Sequence, residues 1–210
     1  MTDLPPEFFR RHDEDDDALF YRRPRTSPHL DDGACRAVCA LYGEILPTTG
    51  LVLDLMASFD SHLPDTPARV VGLGLNREEL SSNERLEEHV IHDLNQEDDL
   101  PFGERVFDGA VCTAAVQYMT RPCRTFAEVG RVLRPGAPFI VAFSVRMFPT
   151  KAVLAWRASD DAAHLRLVEH YFDASSAFGP VARRLHVPET GDPLYALWAY
   201  ARSPAGGEER

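Results

Sequence analysis

One histidine sits close to a carboxylate and two hydroxyls in the run Ser58-Phe59-Asp60-Ser61-His62. A carboxylate beside an imidazole can orient it as a general base, and the same pair can ligate a metal. The alternative is a structural histidine capping a short helix before Pro64. Asp54 interrupts the apolar run LVLDLMA, and a buried carboxylate there needs backbone donors or a ligand amine. Asp93 closes a second apolar run, where it can bind a ligand or cap a turn. Gln117 and Tyr118 follow a third run, where a tyrosine can orient a reacting molecule. Upstream, FYRRPRTSPHLDD (20–32) offers Tyr21, Arg25, His29 and Asp31, and its arginines suit an anionic substrate or pairing with the acidic N-terminus. No metal site is expected among the remaining histidines: His164 and His170 are six apart and share a helix face poorly.

These residues need elements to hold them. Ala34, Val38, Leu41 and Ile45 form one helical stripe, with Asp31 or Asp32 as cap and Pro47 as stop. LVLDLMA (51–57), ARVVGLGL (68–75), EHVIHDL (88–94), FDGAVCTAAV (107–116) and FIVAFS (139–144) read as buried strands. A short helix is expected from Arg77 to about Ser82, and another opens at Pro122. Residues 149–173 carry a helical pattern, and 181–187 with 193–201 read as a closing hairpin. Strands alternating with helices imply an open three-layer α/β domain, mostly parallel, with one antiparallel strand. In such sheets ligands lie beyond the carboxyl ends of the strands. The residues singled out above fall at those ends.

Composition narrows the partners. The chain has 210 residues, 44% hydrophobic and 26% charged, an ordinary globular mixture. Its net charge is −11, from 22 basic against 33 acidic residues, which disfavours nucleic acid and anionic membrane surfaces as partners. No apolar run approaches a membrane span, and the N-terminus lacks the apolar core of a signal peptide. Cys35, Cys39, Cys112 and Cys123 contain no C-x-x-C pair, so buried thiols in a cytoplasmic protein are expected. The expected organisation is a flexible acidic N-terminus over 1–19, one domain over 20–202 and a flexible tail over 203–210.

From Val90 to Ser144 the chain resembles a class I S-adenosylmethionine-dependent methyltransferase of the type 11 kind. The pieces are D-L at 93–94, L-P-F at 100–102, F-D at 107–108, Q-Y at 117–118 and E-V-G-R-V-L-R-P-G at 128–136. LVLDL and VVGLGLN extend the resemblance to roughly 51–144, and the first loop resembles a branch reading D-L-x-x-S-x-x-S-H-L-P. The resemblance implies a Rossmann-like fold of seven strands in the order 3-2-1-4-5-7-6, with S-adenosylmethionine as cofactor. It places Asp54, Leu55, Met56, Ala57 and Ser58 in the first cofactor loop, Gly74 and Leu75 by the ribose, Asp93 and Leu94 at the adenine, and Thr113, Ala114 and Tyr118 beside the methionine part and substrate. His29, His62 and Tyr118 are then the candidates for proton handling on a small-molecule acceptor. Two departures stand out. Met56, Ser58 and Asp60 replace the loop glycines, and Gly74 replaces the ribose-binding acid; Asn76 or Glu78 is expected to reach instead. The first crossover is short enough to limit its helix to one or two turns. These departures keep open a non-catalytic binding or scaffolding module on the same fold.

Overall fold

The computed structural model describes residues 4–25 and 27–203. Seven strands form one sheet: β1 (Leu51–Leu55), β2 (Arg69–Gly74), β3 (Glu88–Ile91), β4 (Gly109–Thr113), β5 (Pro138–Phe143), β6 (Ala182–His186) and β7 (Leu194–Tyr200). Their order is β3-β2-β1-β4-β5-β7-β6. β1 to β5 pair in parallel, and β7 lies antiparallel between β5 and β6. The winding direction reverses between β1 and β4, with β2 and β3 on one side of this pair and β5, β7 and β6 on the other. Ligand sites belong at that point.

Alternation along each strand sends side chains to two faces. Leu53, Leu55, Leu73, Cys112, Phe139 and Val141 pack with Phe126 and Val129 of α4 (Pro122–Val132) and with Val168, Tyr171 and Phe172 of α6 (Asp161–Ser175). Val52, Val111, Ile140 and Ala142 pack against Ala34, Val38, Leu41 and Tyr42 of α2 (Asp32–Ile45). The result is the expected three layers. Asp31 caps α2 by accepting from the Ala34 N–H at 2.8 Å, and α3 (Arg77–Ser82) is capped by Asn76.

Three stretches differ from the expectations. The helical pattern over 149–173 is broken into α5 (Leu154–Arg157) and α6, because Asp160 turns extended and caps a fresh helix through the Ala163 N–H. The first crossover, residues 56–68, contains no helix at all. Met56 and His62 take left-handed backbone there, Asp60 caps the His62 N–H at 2.8 Å, and Pro64 and Pro67 lack donors.

The third is the acidic N-terminus. Residues 4–19, expected to stay solvated, lie against the domain and include the short α1 (Asp17–Phe20). Lys151, fully buried, holds them: its Nζ lies 2.7 Å from the Asp15 carbonyl, 3.2 Å from Asp13 Oδ2 and 3.0 Å from Asp17 Oδ1. Arg11 adds two bonds of 2.7 Å to the Asp17 carboxylate. Backbone bonds from Asp13 to Thr150 and from Leu154 to Arg10 complete the strap. Charge alone suggested a tail, but a run of acids can fold over a buried cation. Of the tail expected over 203–210, residues 204–210 lie outside the described residues.

Candidate functional site

A cavity of about 90 Å³, open to solvent, lies over the carboxyl ends of β1 to β4. Of the twelve site residues expected from sequence, all but Leu55 line it. Leu55 has the neighbouring strand position and so points the opposite way, fully buried in the core.

The floor is set by a close approach of backbones. The Ala57 N–H bonds the Leu73 carbonyl at 2.8 Å, which lays the β1 loop directly across the end of β2. A Cβ at Gly74 would stand 2.3 Å from the Ala57 carbonyl oxygen. This explains both departures in one stroke. The glycine that permits close approach sits on the strand, not in the loop, and an acid has no space at position 74. Gly74→Asp, which restores the acid the resemblance leads one to expect, should cost at least about 2 kcal/mol of stability. Urea denaturation measures it; an unchanged midpoint would show that the loop can retreat.

The backbone around the cavity is held in unusual conformations, in the β1 loop and just after β4. Met56, His62 and Ala114 have φ of 57°, 54° and 52°, each costing roughly 1 kcal/mol for a residue with a Cβ. All three line the cavity.

Two carboxylates face the cavity with an uncommitted oxygen. Asp54 is buried, and its Oδ2 has no hydrogen-bond partner among the described residues. Burial pushes its pKa up to about 7, against the downward pull of the Ser61 hydroxyl and of His62. Asp93 Oδ2 is likewise buried and unpartnered, while Oδ1 caps the Asn95 N–H at 2.8 Å. Burial raises its pKa, and Asp17 and Asp16 add to the rise.

His62 and Asp60 form the dyad the spacing suggested. Asp60 Oδ2 lies 3.0 Å from His62 Nδ1, which leaves Nε2 free for the cavity. The His62 hydrogen bond holds the Asp60 carboxyl below its ordinary range, outweighing its burial. His29 sits across the cavity, and burial lowers its pKa, so its ring is neutral at pH 7. The Tyr118 hydroxyl accepts from the Phe148 N–H at 2.8 Å, and its own proton remains available as a donor. Burial raises the Tyr118 pKa, so the hydroxyl is protonated at neutral pH. Tyr42 of α2 fixes Thr113 through a 2.6 Å hydroxyl pair.

Sequence reasoning missed several lining residues, among them four polar or aromatic ones. Glu79 of α3 is buried and accepts from the Ser58 hydroxyl at 2.5 Å and the Arg25 N–H at 2.7 Å. It lines the same cavity as Gly74; Asn76 lines it too, as expected, while capping α3, and Glu78 is exposed. Asn95 ties three segments together, donating to Asp17 Oδ2 and to the Tyr118 carbonyl and accepting from Thr120. Asp17 comes from the folded N-terminus, and Phe148 from the loop after β5. The i, i+3 relation of Glu79 to its cap Asn76 was the one available signal.

Residues 48–141 match the family model described as a methyltransferase domain. Among curated proteins the chain is similar to the biotin biosynthesis bifunctional protein BioHC of Teredinibacter turnerae, with 31% identity over 80 residues. That stretch is 37% of this chain and 14% of that protein, so the chain spans only a small part of its relative's length. Solved structures share the architecture at low identity. The [4+2]-cyclase SpnF superposes with a TM-score of 0.57 and 12% identity, covering 85% of this chain and 89% of that one. Phosphoethanolamine N-methyltransferase 2 of Haemonchus contortus, in complex with S-adenosyl-L-methionine, gives 0.58 and 11%, covering 82% and 53%. A SAM-dependent methyltransferase from Thermotoga maritima gives 0.57 and 12%, covering 80% and 88%. The methyltransferase-domain match spans the central strands, and the strand order is the one that the resemblance to class I S-adenosylmethionine-dependent methyltransferases implied.

Proposed function

We propose that the chain is an S-adenosylmethionine-dependent methyltransferase acting on a small molecule. The observation that carries this reading is the pair of unpartnered carboxylate oxygens, Asp54 Oδ2 and Asp93 Oδ2, aimed into a cavity over the strand tips. The cofactor carries an α-ammonium and an exocyclic adenine amine, the donors those two oxygens lack. Five of the lining residues are Asp or Glu, a setting that favours a cationic ligand. Asp54 would hold the ammonium end and Asp93 the adenine, with Met56, Leu75 and Leu94 as apolar walls. When bound, the cofactor supplies an electrophilic methyl group on a sulfonium.

The chain's own residues then position and deprotonate. Asp60 keeps the His62 proton on Nδ1, so Nε2 is the basic atom facing the acceptor. Tyr118 can donate to the acceptor while Phe148 covers it from solvent. Alignment supplies most of the rate, and the base adds to it where the acceptor must lose a proton. Against the rival, a non-catalytic module, weighs the open space between Met56, Gly74 and Asp93. Among the described residues no helix is long and apolar enough to cross a membrane. We place the protein in the cytoplasm, as its thiol usage suggests.

The test is label transfer from methyl-labelled S-adenosylmethionine to a fractionated cell extract. Label in the low-molecular-weight fraction is the expected result. Label confined to protein or nucleic acid contradicts the small-molecule acceptor, and no transfer to any fraction favours the module. In the same assay His62→Asn should lower the rate about 100-fold. Asparagine tolerates the left-handed backbone at position 62, so the loss would report the base and not the loop.

A further inference from the structure

Where α1 and the loop after β5 meet the cavity, the side chain of Arg25 has no acceptor among the described residues. Arg25 is the only lysine or arginine among the lining residues. Three rings contact its guanidinium: Phe20 at 4.1 Å, Phe148 at 5.1 Å and Tyr21 at 5.3 Å from the ring centroids. Stacking satisfies the faces of a guanidinium and leaves its edge, where the N–H donors lie. Among the described residues, the buried Arg25 Nη1 has no hydrogen-bond partner and no carboxylate forms an ion pair with this side chain. The acids nearby are already engaged: Asp17 with Arg11 and Lys151, Glu79 with Ser58 and the Arg25 backbone. A buried donor edge with no acceptor is a vacancy for an anion.

Beside that edge lies a flat apolar wall. Phe148 stacks on Tyr118 at 6.0 Å and 25°, and His29 meets Phe148 edge-on at 6.0 Å. We propose that the methyl acceptor is a planar aromatic carboxylate whose acid group binds Arg25 Nη1. This rests on the cavity's taking S-adenosylmethionine. A carboxylate could in principle come from the cofactor as well. The side chain's contacts with α1 and the loop after β5, and not with the β1 and β2 tips, assign it to the acceptor.

The experiment titrates wild type, Arg25→Gln and Arg25→Lys by calorimetry. The cofactor probes are S-adenosylhomocysteine and methylthioadenosine, which lacks the amino-acid part. The acceptor probes are benzoate, benzamide and benzylamine, with and without saturating S-adenosylhomocysteine. Wild type should bind benzoate about tenfold tighter than either uncharged or cationic analogue. Arg25→Gln should erase that preference and leave both cofactor probes within about twofold, while Arg25→Lys keeps part of the preference. Equal affinities across the series, or no saturable benzoate binding up to about 10 mM, overturns the proposal. So does an Arg25→Gln variant that loses S-adenosylhomocysteine but not methylthioadenosine, because Arg25 then serves the cofactor's carboxylate. If S-adenosylhomocysteine binds no variant, the cofactor reading falls separately, and the benzoate series on the free protein still decides the role of Arg25. Arg25→Lys guards against misfolding of the glutamine variant.

Discussion

Asp54→Asn should remove a pH dependence of stability and weaken cofactor-product binding about 100-fold at pH 8. In the unfolded chain this carboxyl titrates at its ordinary 3.8; in the folded protein burial holds it at about 7. Between those values the folded state keeps a proton that the unfolded chain has released. Stability from this group is therefore complete below about pH 4, declines as pH rises towards 7, and is level above. A shift of about three units corresponds to about 4 kcal/mol, an upper bound because the buried site can relax. Asparagine mimics the protonated form at every pH. Its denaturation profile should lack the decline, and the difference between the two proteins isolates Asp54 from Asp17 and His29, which titrate in both. Binding follows from the same linkage. A ligand ammonium favours the ionised carboxylate, so wild type should release a proton on binding below pH 7 and bind more tightly as pH rises to that point. Denaturant titrations from about pH 5 to pH 8, paired with calorimetry in buffers of different ionisation enthalpy, read both effects. Parallel stability profiles would mean that Asp54 is not protonated in the fold.

Lys151→Met should destabilise the protein by about 4 kcal/mol and free the N-terminal strap. Methionine approximates the lysine stem, but four oxygens lose the ammonium they surround. Burial acts to raise the Asp17 pKa, yet the hydrogen bonds from Arg11, Asn95 and Lys151 outweigh it and the net shift is downward. That sign is opposite to Asp54. Asp17 contributes stability above its ordinary 3.8 that disappears as pH falls through its lower folded value. The variant should therefore lose stability to acid at a higher pH than wild type. Trypsin should also cut sooner after Arg10 and Arg11, whose backbone and side chain are pinned by this network. Unchanged cleavage kinetics would show that the strap holds without its buried cation.

The strands were readable because doubly buried parallel strands are continuous apolar runs with few alternatives. LVLDL, RVVGLG and PFIVAF each appear where the sequence placed them. The strand tips followed from topology, so eleven of the twelve expected residues converge on one cavity. Leu55 failed because a contiguous loop motif ignores the alternation of side chains along β1. Glu79, Asn95 and Phe148 were not legible because their roles depend on hydrogen bonds across 21 to 78 positions of chain, which no local pattern carries. The contact that folds the acidic N-terminus was hidden for the same reason: its partner Lys151 is over 130 residues away. The missing loop glycines became intelligible only from the approach of Ala57 to Gly74.

Calorimetric titration of the wild-type chain with S-adenosylhomocysteine at about pH 8 tests most directly whether the cavity over β1 to β4 is a cofactor site. One saturable site per chain with a micromolar Kd, weakened about 100-fold in Asp54→Asn and also weakened in Asp93→Ala, is the expected result. A folded sample giving no heat up to about 1 mM ligand, or binding untouched by both variants, would contradict it.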